Sequence, residues 1–149
     1  MKRAIVCGVS GQDGAYLAQL LLRRGYVVCG TSRDAQISSF RNLKFLGIAE
    51  RVQLESMALT DFRSVLQVLT KFQPDEVYNL AGQTSVSLSF GQPVETLESI
   101  ATGTLNLLEA IRFLGAGGKG NPQKAQEILG WKAKYKMTDA VRKMSAVKA

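Results

Sequence analysis

The sequence predicts an α/β fold, a doubly wound parallel sheet of about four strands in the order 3-2-1-4. Three observations carry this expectation. Short apolar runs alternate with amphipathic helical stretches through the first 115 residues, the succession of βα units that closes into a parallel sheet. The first apolar run, Ala4–Cys7, is continuous rather than alternating, as a strand covered on both faces requires. That run ends in a glycine-rich turn, residues 8–14, which opens directly into a helical pattern.

Taken in order, Ala4–Cys7 forms strand one. Tyr16, Leu17, Leu20, Leu21 and Leu22 then supply the inner face of helix one, and Arg23, Arg24 and Gly25 close it. Tyr26–Gly30 reads as strand two and Val52–Glu55 as a short strand three. Asp61 caps a helix carrying Val65, Leu66, Val68 and Leu69, which must stop before Pro74. Glu76–Ala81 is strand four, and a long helix follows over Pro93–Leu114, with Leu97, Ile100, Leu105, Leu108 and Ile111 expected in the core. Four glycines within residues 115–120 mark a flexible connector. Beyond it, Asn121 and Pro122 start a short helix with Ala125, Ile128 and Leu129 on its apolar face and Gly130 at its end. A second short helix begins near Thr138, with Ala140, Val141 and Met144 inward. The expected organisation is therefore a doubly wound α/β domain over 1–114, a connector over 115–120 and a helical segment over 121–149.

Composition narrows the function classes. At 149 residues the chain can bury one core and not two. Hydrophobic residues make up 46% and charged ones 21%, a globular balance, and no run approaches the roughly 18 apolar residues of a membrane helix. The N-terminal Met1-Lys2-Arg3 mimics a signal peptide, but the apolar run after it stops at Gly8, so a cytoplasmic protein is expected. Cys7 and Cys29 fall in expected buried strands and read as small apolar side chains in a reducing compartment. With no histidine in the chain, no metal site is expected. Of the net charge of +7, residues 119–149 carry +6. That segment lacks aromatic interleaving apart from Trp131 and Tyr135, so a solvated helix face is the better reading than a nucleic-acid footprint.

The glycine-rich turn carries the chemistry. Gly8 permits a tight turn after strand one, Gly11 lets backbone approach a phosphate, and Gly14 allows close helix–strand packing. The helix that follows presents unpaired N–H groups and partial positive charge to an anion. Glycines also serve ordinary turns. Here, however, an apolar strand precedes, a helix follows, and a second strand begins about twelve residues on, which favours a dinucleotide-binding, Rossmann-like unit. At the end of strand two the chain reads Gly30-Thr31-Ser32-Arg33-Asp34. An acidic residue there would accept from an adenosine ribose, whereas Arg33 can pair with a 2′-phosphate. NADP is therefore the expected cofactor, with Asp34 partly opposing Arg33 and a plain surface role for Arg33 left open.

These residues, in this order, resemble the GDP-mannose 4,6-dehydratase family of extended short-chain dehydrogenases/reductases. Gly8-Val9-Ser10-Gly11-Gln12-Asp13-Gly14-Ala15-Tyr16-Leu17 is similar to the family's phosphate loop, Gln-Asp pair included. Gln73-Pro74-Asp75-Glu76-Val77-Tyr78-Asn79-Leu80-Ala81-Gly82-Gln83 looks like its fourth strand, which lines the nicotinamide ribose. Residues 89–93 and 103–112 continue the match, and Gly120-Asn121-Pro122 with Leu129-Gly130-Trp131-Lys132 resemble the family's C-terminal end. The resemblance implies cofactor contacts from Gly8, Ser10, Gly11, Gln12, Asp13, Gly14, Arg33, Leu59, Leu80, Ala81, Gly82 and Gln83, and a substrate contact from Thr84. Cys7 stands where the family usually has Thr, Ala58 where an adenine-contacting Asp is common, and Ile100 where Asn is frequent.

The family is an NADP-dependent lyase. Its chemistry takes hydride from C4 of the sugar, eliminates water across C5 and C6, and returns the hydride to C6. That requires a Tyr with a Lys four residues on, and a carboxylate at C5. Between Leu114 and Lys119 this chain passes from the fourth βα unit to the C-terminal segment without them: residues four after Tyr16, Tyr26, Tyr78 and Tyr135 are Leu20, Gly30, Gly82 and Asp139. No catalytic residue is assigned. The expected protein binds NADP, takes a nucleotide sugar only weakly and is inactive alone. The alternatives are an interaction or regulatory module on a vestigial nucleotide fold and, less favoured, an enzyme completed by a partner chain. An uncovered edge on strand four and an uncovered helix face predict self-association.

Overall fold

In the computed structural model, residues 1–82 and 90–115 are described. They form β1 (Arg3–Cys7), α1 (Gln12–Arg23), β2 (Val27–Ser32), α2 (Arg41–Phe45), a 3-10 turn (Ala49–Arg51), β3 (Gln53–Ser56), α3 (Phe62–Phe72) and β4 (Glu76–Asn79). A final helix runs as α4 (Pro93–Leu97), a π-helical turn (Glu98–Thr102) and α5 (Gly103–Leu114). The expected connector beyond Gly115 and the two C-terminal helices lie outside the described residues.

The four strands are parallel in the order β3-β2-β1-β4, as expected. Ile5 stands opposite Cys29 and Val77, and Thr31 opposite Glu55. Alternation along β1 divides the core into two layers. Ala4 and Val6 pack with Ala15, Ala18, Leu21, Val28 and Leu43 under α1 and α2, while Ile5 and Cys7 pack with Cys29, Val65, Leu69, Leu107 and Ala110 under α3 and α5. A sheet covered on both faces explains the unbroken apolar run of β1. Both thiols are buried and free, and burial pushes Cys7 up to about 11 and Cys29 to about 12.

Local signals place the ends. The Asp61 carboxylate accepts from the Arg63 N–H at 2.9 Å and caps α3. Gln73, in the left-handed region at φ 48°, ends that helix ahead of Pro74. Strand four stops at Asn79 rather than Ala81, because the Ala81 N–H turns back to the Asn79 side chain at 3.2 Å. Strand two runs two residues further than expected, to Ser32, and β3 runs to Ser56.

Two expectations about helix faces are corrected. On α1, Tyr16 and Leu20 are exposed; Ala15, Ala18, Leu21 and Leu22 face inward, the alanines letting the helix lie close to the sheet. On the last helix, Leu97 (67% exposed), Ile100, Leu105, Leu108 and Ile111 are all exposed. The inward line is Gly103, Leu107 and Ala110, one residue per turn, against α3 and the sheet. The physical reason is that β4 is the outermost strand of the sheet. A helix beside an edge strand touches protein along a narrow line, and the remainder of its broad apolar face has nothing beneath it among the described residues.

Candidate functional site

The carboxyl ends of the strands open into a groove of about 900 Å³, within the size range of small-molecule and cofactor clefts. Its position matches the place where parallel α/β sheets bind ligands, outside the strand ends at the switch between β1 and the strands on either side. The floor continues the ladder of the sheet. Thr31 C=O accepts from the Gly8 N–H at 3.0 Å and the Val9 N–H at 3.3 Å, and Leu80 N–H donates to Cys7 C=O at 3.1 Å. On the far side, Met57 N–H donates to Ser32 C=O at 2.8 Å.

Two glycines make this floor possible. Gly8 sits at φ +78°, and a Cβ there would lie 2.9 Å from the Leu80 carbonyl carbon and oxygen. Gly14, in the first turn of α1, has Gly8 backbone and the Val9 Cα pressed where a Cβ would go. The turn is therefore closed backbone to backbone at Gly8 and Gly14. Gly11 is the N-cap and offers no capping side chain. Ala15 N–H to Gly11 C=O, 3.1 Å, is the first intrahelical bond, so the N–H groups of Gln12, Asp13 and Gly14 have no intrahelical acceptor. That arrangement suits an anion.

At the end of β2, Arg33 is exposed and enters none of the ion pairs found among the described residues. Asp34, expected to oppose it, is held elsewhere: its Oδ1 accepts from the N–H groups of Gln36 (2.9 Å) and Ile37 (3.3 Å), an Asx turn. The Arg33 guanidinium thus has no carboxylate competing for it from its own turn. A charged cluster among the described residues lies at the other end of the sheet, on the first residue of β4. There Glu76 accepts from Tyr78 (2.7 Å), Lys2 (2.9 Å) and Tyr26 (3.1 Å), and these bonds hold its carboxyl below the usual range.

Of the residues nominated from sequence, Gly8, Ser10, Gly11, Arg33, Leu59, Leu80, Ala81 and Gly82 line the groove together. Gln12 and Asp13 are exposed on the first turn of α1 and Gly14 is buried beneath it; none of the three lines the groove. Gln83 and Thr84 lie outside the described residues. Sequence reasoning missed Ser32 and Ser38, whose hydroxyls meet at 3.0 Å beside Arg33, and Glu95, Glu98 and Ser99 at the opposite end. Hydroxyls flanking an Arg at a strand end were a usable signal; nothing in the spacing of Glu95 and Glu98 marked them. The residues present fit a phosphorylated dinucleotide: bare backbone at a helix start, an uncommitted Arg, and a cleft of matching size. Among the described residues no three His, Cys, Asp or Glu side chains converge as a metal site, and no helix is long and apolar enough to cross a membrane.

Sheet order, glycine turn and groove define a Rossmann-like domain of the short-chain dehydrogenase/reductase kind. Two solved structures share this architecture. One is the Thermus thermophilus UDP-glucose 4-epimerase in complex with NAD, with 32% identity and a TM-score of 0.66 over 76% of this chain and 34% of that one. The other, the UDP-Glc/GlcNAc 4-epimerase of Campylobacter jejuni, has a TM-score of 0.67 at 18% identity, which is a likeness of fold alone. The family profile described as GDP-mannose 4,6 dehydratase matches residues 5–119, and the chain belongs to that family. It is 43% identical over 121 residues to the GDP-mannose 4,6-dehydratase of Vibrio cholerae and 44% identical over 121 residues to that of Sinorhizobium fredii. Each comparison covers 76% of this chain, and the chain spans about a third of the length of those curated relatives. The resemblance at 120–132 lies beyond the matched residues.

Proposed function

We propose that this chain is an NADP-binding, GDP-mannose 4,6-dehydratase-like protein that turns over nothing by itself. The observation that carries the reading is the unpaired start of α1, whose N-cap Gly11 lines with Gly8 the groove that Arg33 flanks. In this reading residues 1–114 form the cofactor domain, 115–120 a connector and 121–149 a segment resembling the end of the family's substrate domain. The bound nicotinamide would supply the hydride acceptor. The chain's own residues would hold the cofactor: the α1 N-terminus the pyrophosphate, Arg33 and Ser32 the 2′-phosphate, and Leu80–Gly82 the nicotinamide ribose. No Tyr is followed by Lys four residues on in this sequence, so the pair that takes the sugar hydroxyl proton in the family's chemistry is missing. A nucleotide sugar would bind weakly. Buried free thiols agree with a reducing, cytoplasmic setting. Among the described residues nothing covers the β4 edge or the outer face of the last helix, which supports self-association through a second copy.

Calorimetry tests the cofactor reading. NADPH should bind more tightly than NADH, and Arg33→Ala should weaken NADPH by about 10- to 100-fold, the loss of a charge-assisted phosphate contact, while leaving NADH nearly unchanged. No heat of binding for NADPH at millimolar concentration would remove the reading in favour of an interaction module. Formation of a 4-keto sugar from GDP-mannose by the pure chain would refute its inactivity.

A further inference from the structure

Three asparagines fall among the described residues, and each ties a loop of the groove to a neighbouring element. Asn42 on α2 donates from Nδ2 to the Ser10 carbonyl at 2.9 Å, holding the glycine-rich turn. Asn106 on α5 donates from Nδ2 to the Leu59 carbonyl at 2.8 Å, holding the loop after β3. Asn79, at the end of β4, accepts from the Ala81 N–H through Oδ1 and donates from Nδ2 to Thr104 Oγ1, both at 3.2 Å, holding the exit of β4 to α5. Carbonyls only accept and backbone N–H groups only donate, so the orientation of all three amides is fixed by their partners.

From this we infer that Asn42, Asn79 and Asn106 are positioning residues that preorganise the groove for its dinucleotide, an inference that rests on the cofactor reading above. Ser10, Leu59 and Ala81 each belong to a loop that lines the groove, and each loop follows a different strand. Without cross-ties these loops would have to be ordered by the ligand, at a cost to affinity. Further features support the assignment. Phe40, the N-cap of α2, is buried yet held at φ 45°, ψ 40°, a conformation unfavourable for a bulky residue. That strained corner leads straight into the α2 turn that carries Asn42 to the Ser10 carbonyl. On the other side, Ala58 N–H to Ser64 Oγ, 3.1 Å, ties the same loop to α3, and Asn106 ties it to α5.

The test uses the full chain and two variants, Asn42→Ala and Asn106→Leu. Each should weaken NADPH and NADH alike by about five- to tenfold, the effect of one lost hydrogen bond, and leave the ratio between them unchanged. Arg33→Ala should do the converse. Asn42→Gln, which keeps the amide, should recover affinity to within about threefold of the unaltered chain, a rescue that a packing role would not give. Hydrogen exchange without ligand should speed up at 8–11 in Asn42→Ala and at 57–61 in Asn106→Leu, with urea midpoints showing both folded. Unchanged exchange together with unchanged affinities would overturn the inference. A chain that binds no NADPH but shows the exchange changes would instead sink the cofactor reading and leave the ties themselves standing.

Discussion

Gly14→Ala should destabilise the chain by about 3 kcal/mol, seen as a lowered urea midpoint with an unchanged slope. The sign is not obvious, because alanine in a helix is favoured over glycine by about 1 kcal/mol. Sterics decide it. The new methyl would meet the Gly8 carbonyl oxygen well inside contact distance, Val9 Cα at 2.9 Å and the Gly8 carbonyl carbon at 3.0 Å. All three are backbone atoms. None can rotate away, since Gly8 is locked at φ +78° with its own Cβ position filled by Leu80 and Ala81 backbone, and its N–H is bound to Thr31. Relief requires α1 to move off β1, which would strip contacts from Ala15 and Ala18 in the core. The exposed neighbour gives the comparison: Gln12→Ala should change stability by no more than about 0.5 kcal/mol. If Gly14→Ala were as stable as the unaltered chain, the close backbone contact that builds the groove floor would be disproved.

How much of this was legible in the sequence depends on whether a residue's role is set locally. The glycine turn, the Asp61 cap and the stop at Pro74 are local chemistry, and each was readable from a few adjacent residues. The strand order followed from the repeated βα pattern and the handedness of its crossovers. Arg33 was readable as a candidate, but its freedom was not, because Asp34 is removed from competition by a turn that only backbone geometry reveals. α2 escaped notice for the same reason: five residues, Arg41–Phe45, give too short a pattern for a helical period to register. The cross-ties of Asn42 and Asn106 reach 32 and 47 residues along the chain, and no spacing rule anticipates them. The last helix failed in a more instructive way. It is apolar on several sides, so periodicity could not choose which leucines face the sheet.

That ambiguity gives the second large effect, because one helix carries leucines of both kinds. Leu107 is 3% exposed and packs with Ala110 against α3 and the sheet, whereas Leu105 and Leu108 are each 57% exposed. Leu107→Ala should cost about 3 kcal/mol, the loss of buried surface plus the cavity left behind. It should do so at every protein concentration, since the contact is within the chain. Leu105→Ser and Leu108→Ser remove no buried contact among the described residues, so at high dilution their stability should stay within about 0.5 kcal/mol of the parent. Their effect should emerge only as concentration rises. If a second copy covers this face, the parent chain gains stability by mass action and the two serine variants do not. Light scattering should then show the parent self-associating and the variants shifted towards monomer. A parent chain that stays monomeric while Leu105→Ser is destabilised at all dilutions would place that leucine in an intramolecular contact, and the inward line through Gly103, Leu107 and Ala110 would have to be redrawn. The opposite signatures of Leu105 and Leu107, two residues apart, thus separate what holds the domain together from what its outer face is for.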